Sequence, residues 1–350
     1  MTKVLFVDDE PMLLRAIERA LRARKPRWDA TFASSGQDAL ALLEAETFDV
    51  IVSDIGMPGM DGVTLLDKIR TKHPRIARLV LSGEARLEDR MRAVIASHQW
   101  LAKPCPMPQL AATIDRLQWA RELVEDPELL ALACGVSSLP SAPVLYFAVT
   151  QALERDAGVE EIGLLIETDV AIASKLLQLV NSSFFGLGER ISSVRRAARM
   201  LGHVRLRELL LAAEVFHTSP QAGSSAARGL RVARLARALA NEHHDEVFLA
   251  GLLHDVATLV LGPTRAATAS PELHARIGGA LLGTWGLPLE VVTAVAFHHD
   301  PERAPDPGES RLRVVALAHA LQGRPELVDD RARTLGLDPD ECRQIASTIE

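Results

Sequence analysis

Short apolar runs alternate with amphipathic patterns through the first 120 residues. The runs that predict strands are Val4–Val7, Ala30–Ala33, Val50–Ser53, Arg78–Leu81 and Trp100–Ala102. Between them, apolar residues recur every three or four positions, which predicts helices at Pro11–Arg24, Gly36–Ala45, Thr64–Lys72, Leu87–Ser97 and from Met107 onward. Continuously apolar strands separated by single helices are typical of a parallel sheet covered on both faces. We therefore predict a doubly wound α/β domain with five strands.

Beyond residue 122 or so, the pattern is helical throughout. It predicts helices at Val144–Arg155, Val159–Thr168, Val170–Asn181, Ser193–Leu201, Leu206–Val215, Arg228–Asn241, Glu246–Gly262, His274–Trp285, Pro288–His298 and Arg311–Gly323. Gly186, Gly202, Gly262 and Gly286 are natural helix ends. The stretch Gln221–Ala227, rich in Ser, Gly and Ala, is predicted to be a flexible joint between two subdomains. The second part of the chain is therefore predicted to be an all-α domain.

Length and composition support two domains. A chain of 350 residues exceeds the roughly 250 residues that one core usually holds. Three cysteines without zinc-like spacing predict neither a disulfide framework nor a thiolate metal site, which fits the cytoplasm. We find no signal peptide pattern and no apolar run of about 18 residues, so neither export nor a membrane span is expected. The net charge of -7 argues against a surface built for nucleic acid.

Polar residues follow four of the five predicted strands. They are Asp8 and Asp9, then Asp54, Ser82 and Lys103. In parallel sheets these positions meet at the carboxyl edge, where ligands bind. Crowded carboxylates need a cation, and oxygen ligands suit Mg²⁺. Asp54 could then attack phosphorus while Lys103 and Ser82 bind phosphoryl oxygens. The alternative is that the acids cap helices and turns and that the lysine is an ordinary surface residue.

Four motifs resemble the receiver domain of two-component response regulators. They are VDDEP (Val7–Pro11), SDIGMPGMDG (Ser53–Gly62), LSGEA (Leu81–Ala85) and LAKP (Leu101–Pro104). The resemblance implies a flavodoxin-like sheet of order 2-1-3-4-5 and a sensor histidine kinase as phosphodonor. It implies that Asp54 is the phosphoacceptor, that Asp9, Asp54 and the Gly56 carbonyl bind Mg²⁺, and that Asp8 helps through water. Trp100 stands where the family usually has a Tyr or Phe switch; the alternative is a core residue of an edge strand.

The second part resembles the HDOD domain, an output module related to HD phosphohydrolases. The motifs are LPSAP (Leu139–Pro143), LVNSSFFG (Leu179–Gly186), ISSVRRAARMLG (Ile191–Gly202), FLAGLLHDVATLVL (Phe248–Leu261), WGLP (Trp285–Pro288) and FHHDP (Phe297–Pro301). We therefore expect a receiver at residues 1–121, a helical linker at 122–138, an HDOD domain at 139–325 and a C-terminal helical tail at 326–350.

The resemblance raises the question of a metal site in the helical domain. The candidate residues are His254, Asp255, His274, His298 and His299. Imidazoles and a carboxylate suit transition metals. However, Arg228 stands where HD enzymes carry their first histidine, His319 stands in place of the closing aspartate, and an arginine would repel a dication. We therefore expect a remnant of the HD site without a transition metal.

These observations predict a phosphorylation-dependent response regulator. Phosphate on Asp54 would change the protein–protein interaction of a non-catalytic HDOD domain. The resemblance suggests that the partner is a signalling protein whose identity the sequence does not give. Enzymes of cyclic dinucleotides are one class to which this partner could belong. The formation of a homodimer is left open.

Two alternatives remain. The first is a phosphorylation-controlled HD-type metal phosphohydrolase. The second is a DNA-binding regulator that uses the arginine cluster around Gly202, namely Arg190, Arg195, Arg196, Arg199, Arg205 and Arg207. Arginines of this kind more often form the solvated face of a packed helix, so nucleic acid is not the partner we expect.

Overall fold

The computed structural model describes residues 2–24, 28–83, 96–136, 139–141, 143–182, 190–211 and 220–349. These residues form two compact units. The first unit contains the described residues up to Val136, together with Asn181, Ser182 and Thr284–Gly286, and the second contains the rest.

A five-stranded parallel sheet forms the centre of the first unit. Its strands are β1 (Thr2–Val7), β2 (Trp28–Ala33), β3 (Val50–Ser53), β4 (Ala77–Ser82) and β5 (Gln99–Ala102). The spatial order is β2-β1-β3-β4-β5, and neighbouring strands are parallel. This order confirms the predicted flavodoxin-like receiver fold.

Helices cover both faces of the sheet. They are α1 (Pro11–Arg24), α2 (Gly36–Ala45), α3 (Gly62–Lys72) and α4 (Met107–Glu122). Successive side chains of a strand point to opposite faces. Val4 and Phe6 of β1 therefore pack in the core that includes residues of α1 and α4, whereas Leu5 and Val7 pack in the core with α2 and α3. Most of the helix predicted at Leu87–Ser97 falls on residues 84–95, which lie outside the described part of the chain.

A buried arginine ties a fifth helix, α5 (Pro127–Gly135), to the sheet. The guanidinium of Arg78 donates to the carbonyls of Ala96, Ile76 and Cys134. His98 Nδ1 accepts the Arg78 backbone N–H at 2.9 Å. Its Nε2 therefore carries the proton and donates to the Cys134 carbonyl at 2.7 Å. The C-terminal end of α5 is thereby fixed to the first unit, although the predicted limits of the receiver and linker stay a prediction.

The second unit is built from helices, which confirms the predicted all-α character. They are α6 (Pro143–Glu154), α7 (Val159–Ile166), α8 (Val170–Asn181), α9 (Val194–Leu211), α10 (Pro220–Leu239), α11 (His244–Leu253), α12 (Ala257–Thr268), α13 (Pro271–Thr284), α14 (Leu289–Phe297), α15 (Ser310–Gly323), α16 (Val328–Thr334) and α17 (Pro339–Thr348). Every helix among the described residues is too short or too polar to span a bilayer.

The predicted flexible joint at Gln221–Ala227 is wrong, because this stretch is part of α10. Small residues here allow close helix packing instead of flexibility. A Cβ on Gly229 would approach the Leu252 carbonyl oxygen of α11 to 2.4 Å, and Ala222 and Ala226 are buried. By contrast, Gly202 and Gly262 do interrupt their helices, with φ of 70° and 69°.

Candidate phosphoacceptor site and histidine cluster

The carboxyl edge of the sheet brings the predicted acids and the lysine together. Asp8 follows β1 and Asp54 follows β3; the Asp54 backbone N–H donates to the Val7 carbonyl at 2.9 Å. Ser82 ends β4, and its carbonyl accepts the Lys103 backbone N–H at 2.8 Å. The backbone of the sheet therefore fixes the positions from which these side chains converge.

The ammonium of Lys103 joins two of the carboxylates. Its Nζ lies 2.7 Å from Asp8 Oδ2, 2.9 Å from Asp54 Oδ1 and 3.9 Å from Glu10 Oε1. Burial on its own would lower the pKa of Lys103, but the hydrogen bonds and charges of Asp8 and Asp54 outweigh it and raise the pKa. The lysine therefore stays charged at neutral pH and holds both acids in place.

The second oxygen of Asp54 is oriented by the loop that follows β3. Asp54 Oδ2 accepts the Gly56 N–H at 2.8 Å. The loop returns so closely that a Cβ on Gly62 would lie 1.8 Å from the Asp54 carbonyl oxygen, and the Gly62 N–H donates to the Ile55 carbonyl at 2.9 Å. Only glycine fits at position 62, so this residue helps to position Asp54, whose role as phosphoacceptor stays a prediction. The sequence analysis quoted Gly62 within a motif but assigned it no role.

The remaining predicted receiver residues lie close to this edge or in the core behind it. Ser82 is buried at the end of β4, and Asp9 is partly exposed beside Asp8. Trp100 of β5 is 4% exposed and packs in the core that contains α2 and α3. The structure therefore places Trp100 in the core, and its role as a switch stays a prediction.

The donor set fits a divalent cation. Three carboxylates, Asp8, Asp9 and Asp54, and one ammonium, Lys103, give this edge a formal charge of minus two. Asp8 and Asp54 already converge on a single cationic nitrogen. Carboxylates, a backbone carbonyl and water are the ligands that Mg²⁺ prefers. Receiver domains generally use Mg²⁺ for phosphorylation, and the residues of this edge agree with that use.

In the second unit, the predicted histidines and aspartate gather where four helices meet. His254 and Asp255 follow α11, His274 lies in α13, and His298 and His299 follow α14. His319 of α15, which the sequence analysis placed at the closing aspartate, joins them: its ring centroid lies 4.6 Å from His299 and 4.9 Å from His298. Sequence spacing alone did not show that His319 belongs to the cluster.

Backbone carbonyls fix the protonation pattern of two of these rings. His254 Nδ1 lies 2.8 Å from the Gly251 carbonyl, and His298 Nδ1 lies 2.8 Å from the Val295 carbonyl. A carbonyl only accepts, so both Nδ1 atoms carry the proton and both Nε2 atoms are bare. These Nε2 atoms are buried and have no hydrogen-bond partner among the described residues. This is the arrangement found around histidines that bind metals.

Arg228 of α10 pairs with the aspartate of the cluster. Its Nη1 lies 2.8 Å from Asp255 Oδ2. The other oxygen, Oδ1, lies 3.1 Å from His274 Nε2 without a hydrogen-bonding orientation. The sequence analysis expected Arg228 to repel a dication but did not predict this ion pair, since it depends on the packing of α10 against α11.

Burial lowers the pKa of several histidines in this cluster. Burial and the neighbouring rings lower the pKa of His298, and burial lowers the pKa of His299 and of His319 to about 3. The side chains of His274, His298 and His299 place ligand nitrogens within 4.8 Å of one another. Imidazole nitrogens at this spacing could bind a transition metal, so the expected absence of one is not confirmed.

The arginines of the proposed DNA-binding surface engage acidic residues in part. Arg195 Nε lies 3.0 Å from Glu167 Oε1. Arg237 of α10, which is not one of the six arginines of that cluster, lies with Nη2 3.7 Å from the same oxygen. The side chain of Arg207 lies outside the described part of the chain. The ion pairs reduce the positive charge that this surface could offer to phosphates.

Family models match the chain in three stretches. A response regulator receiver domain matches residues 4–115, an HDOD domain matches residues 139–273, and an HD domain matches residues 228–335. HD domains usually bind metals and act as hydrolases, and this match does not show whether the present one does.

Two similar proteins each match part of the chain. An uncharacterized protein of Treponema pallidum is 27% identical over 247 residues, which cover 59% of this chain and 47% of that protein. The probable transcriptional regulatory protein TcrX of Mycobacterium tuberculosis is 32% identical over 115 residues, which cover 33% of this chain and 48% of TcrX. The chain thus spans less than half the length of either relative.

Among solved structures, the MmoQ response regulator of Methylococcus capsulatus superposes with a TM-score of 0.51 and 21% identity, covering 60% of this chain and 98% of MmoQ. This likeness shows the fold alone. Together with the acids and lysine at the edge of the sheet, the family matches show that the chain carries a response regulator receiver domain followed by an HDOD and HD helical region.

Proposed function

We propose that this protein is a phosphorylation-dependent response regulator whose output is a change in protein binding. The observation that carries the proposal is the Lys103 ammonium shared between Asp8 and Asp54, at 2.7 and 2.9 Å. It supports Asp54 as the phosphoacceptor, because the acid is held beside a fixed positive charge at the ligand-binding edge of the sheet.

In the proposed reaction, a carboxylate oxygen of Asp54 attacks the phosphorus of a phosphohistidine on a sensor kinase. The new O–P bond forms as the N–P bond breaks, and the electron pair returns to the imidazole. Mg²⁺, held by Asp9, Asp54 and the Gly56 carbonyl with help from Asp8, would offset the charge on the transferred group. Lys103 then pairs with one phosphoryl oxygen, and the Ser82 hydroxyl donates to another.

The phosphoryl group would change the surface around β5. Movement of Ser82 toward the phosphate would open space for Trp100 to repack. Because α5 is hydrogen-bonded to Arg78 and His98 next to β4 and β5, the linker would follow such a change. The expected output is altered binding of a signalling protein or of a second copy of the chain.

The proposal is tested by phosphodonor dependence. Acetyl phosphate with Mg²⁺ should label the protein and alter its hydrodynamic size or partner binding. Asp54→Ala should abolish the labelling and the response, whereas Glu44→Ala, which removes an exposed carboxylate of α2, should retain both. An intact protein that is labelled without any change in shape or binding would contradict the switch.

We further propose that the helical output does not hydrolyse phosphodiesters. A two-metal hydrolase uses a carboxylate to hold its ions, and here Asp255 is paired with Arg228 at 2.8 Å. The rival function, a phosphorylation-controlled metal hydrolase, is favoured by the histidine cluster and the HD match. Turnover of a cyclic dinucleotide with added Mn²⁺ or Fe²⁺, lost in Asp255→Asn, would establish the rival. A cytoplasmic location stays a prediction.

A further inference from the structure

We propose that the first unit binds a small organic anion in a cavity at the amino edge of its sheet. Lys72 and Arg75 would supply the cationic contacts, and helix α5 forms one wall. The ligand would be an organic acid, either a carboxylate or a phosphate ester, that carries an apolar body. The site shares no residue with the carboxyl edge that holds Asp54, so it goes beyond the phosphorylation switch.

The cavity lies where strands of the sheet begin. Its volume is about 400 Å³, and its lining includes Asp49 and Ile76, which directly precede β3 and β4. Pro127 and Leu130 of α5 also line it. Parallel strands all begin at the edge opposite the one where they end, so the cavity and Asp54 lie at opposite edges. Ligand pockets usually measure roughly 300–1,000 Å³, so this cavity suits a small molecule.

Two acids of the lining are already paired. Glu46 Oε2 lies 2.8 Å from Lys3 Nζ. Asp49 Oδ1 lies 2.8 Å from Arg121 Nη2, and Asp49 Oδ2 accepts the Lys3 backbone N–H at 2.9 Å. Arg121 also donates to the Arg75 carbonyl. These acids and Arg121 therefore satisfy one another and leave little net charge to attract a ligand.

Two cationic side chains of the lining remain. Lys72 and Arg75 are exposed, and neither forms an ion pair with a residue that the structure describes. Glu125 is the lining acid in the same condition, so two cations face one acid. Lys72 lies in the last turn of α3, where the helix dipole already favours a cation. Arg75 lies beyond the helix and is therefore the stronger contact for an anion.

The apolar part of the lining indicates the body of the ligand. Leu43, Phe48 and Ile76 are buried, and Leu130 is partly buried. An inorganic anion would leave this surface uncovered, whereas an apolar body would remove it from water. The guanidinium of Arg75 can bind a carboxylate or a phosphate through two parallel hydrogen bonds. Cations beside an apolar floor thus favour an organic anion over an inorganic one.

A ligand in the cavity would also stabilise α5. Pro127 and Leu130 belong to the first half of this helix, whereas its last turn is held by the hydrogen bonds of Arg78 and His98 to the Cys134 carbonyl. The bound molecule would therefore hold the helix at its other end and reduce local opening.

The experiment is a titration of the full-length protein with phenylacetate, phenyl phosphate and the uncharged 2-phenylethanol, followed by amide chemical shifts in NMR. Mg²⁺ is omitted, so that phenyl phosphate is not drawn to the carboxyl edge. We expect both anions to shift the amides of Phe48 and Leu130 and to slow hydrogen exchange in residues 127–135. The uncharged probe should bind at least about tenfold more weakly. The tighter anion identifies the head group as carboxylate or phosphate.

Charge variants test the contacts. Arg75→Gln should weaken binding of the anions at least about tenfold, and Lys72→Gln should weaken it less. Glu125→Gln removes the opposing charge and should tighten binding. Lys68→Gln, which removes an exposed lysine of α3 outside the lining, should leave binding unchanged. Circular dichroism confirms that each variant is folded.

Three results would overturn the proposal. They are unchanged amide shifts at anion concentrations up to about 10 mM, wild-type affinity in Arg75→Gln, and equal affinity for 2-phenylethanol and the anions. None of them involves Asp54 or a phosphodonor, so such a failure leaves the phosphorylation switch standing.

Discussion

At the scale of single residues, close contacts decide which side chains the sites tolerate. Gly62 lies so near the Asp54 carbonyl that no Cβ can be accommodated. Lys175 of α8 is 1% exposed, and burial lowers its pKa to about 7. The first residue positions Asp54, the proposed phosphoacceptor, and the second is the basis for a predicted dependence of stability on pH.

We expect Gly62→Ala to destabilise the receiver by about 1–3 kcal/mol, because the added methyl group overpacks the loop after β3. Displacement of Asp54 should also slow labelling by acetyl phosphate. Gly135→Ala is the matched control, since its Cβ would meet Pro74 at an ordinary 3.5 Å. Urea unfolding and phosphoprotein electrophoresis measure the two effects. Wild-type stability and labelling in Gly62→Ala would refute the assigned role.

We expect the buried amine of Lys175 to make stability rise with pH above about 7. Its pKa is about 7 in the folded protein and about 10.4 in an unfolded chain. Between these values the unfolded chain binds the extra proton, so raising the pH favours folding by at most about 1.4 kcal/mol per pH unit. Below pH 7 both states are protonated and the contribution is constant.

The measurement is urea unfolding of wild type and Lys175→Met at about pH 7.5 and about pH 9. The wild type should gain stability relative to the variant at the higher pH. Lys72→Met, an exposed lysine of α3, controls for general effects of removing a positive charge. A difference that is independent of pH would show that Lys175 does not titrate in this range.

At the scale of elements, the fold depends on how helix ends meet their neighbours. The carbonyl of Cys134 at the end of α5 accepts hydrogen bonds from Arg78 and His98. Burial of the Arg78 guanidinium lowers its pKa to about 10, which still leaves it charged at neutral pH. This contact fixes the end of α5 to the first unit, within the stretch that the sequence analysis predicted to be a helical linker.

We expect Arg78→Met to destabilise the first unit by roughly 2–4 kcal/mol, since three buried carbonyls lose a donor while the cost of burying the charge is removed. Hydrogen exchange in residues 127–135 should accelerate more than exchange in β1. Arg22→Met, which removes an exposed arginine of α1, should change neither quantity. Unchanged exchange in α5 would mean that other contacts hold this helix.

At the scale of the whole molecule, the distribution of charge argues against nucleic acid. The net charge is -7, and Glu167 pairs with both Arg195 and Arg237. We expect affinity for duplex DNA no stronger than about 10⁻⁴–10⁻⁶ M at physiological salt, with or without acetyl phosphate. Fluorescence anisotropy across a salt series measures this. Tighter binding that falls steeply with salt would restore the DNA-binding alternative.

The sequence by itself determined the fold of the receiver domain and the place of its candidate site, because the residues of that site directly follow the strands. The apolar runs locate the strands, and the parallel arrangement brings Asp8, Asp54 and Lys103 to one edge. For this domain, the periodicity of apolar residues and the local sequence motifs are enough to predict the strands and the residues that meet at their ends. The all-α character of the second unit followed from periodicity in the same way.

Only the tertiary structure decided which polar groups meet across helices. The Arg228–Asp255 pair, the inclusion of His319 in the cluster and the burial of Arg78 join residues from separate elements. The stretch Gln221–Ala227 was predicted to be flexible from composition, whereas the structure places it within α10, a helix that approaches α11 closely at Gly229. Helical periodicity shows which face of a helix is buried but not which helix covers it, and contacts between helices therefore had to come from the folded structure.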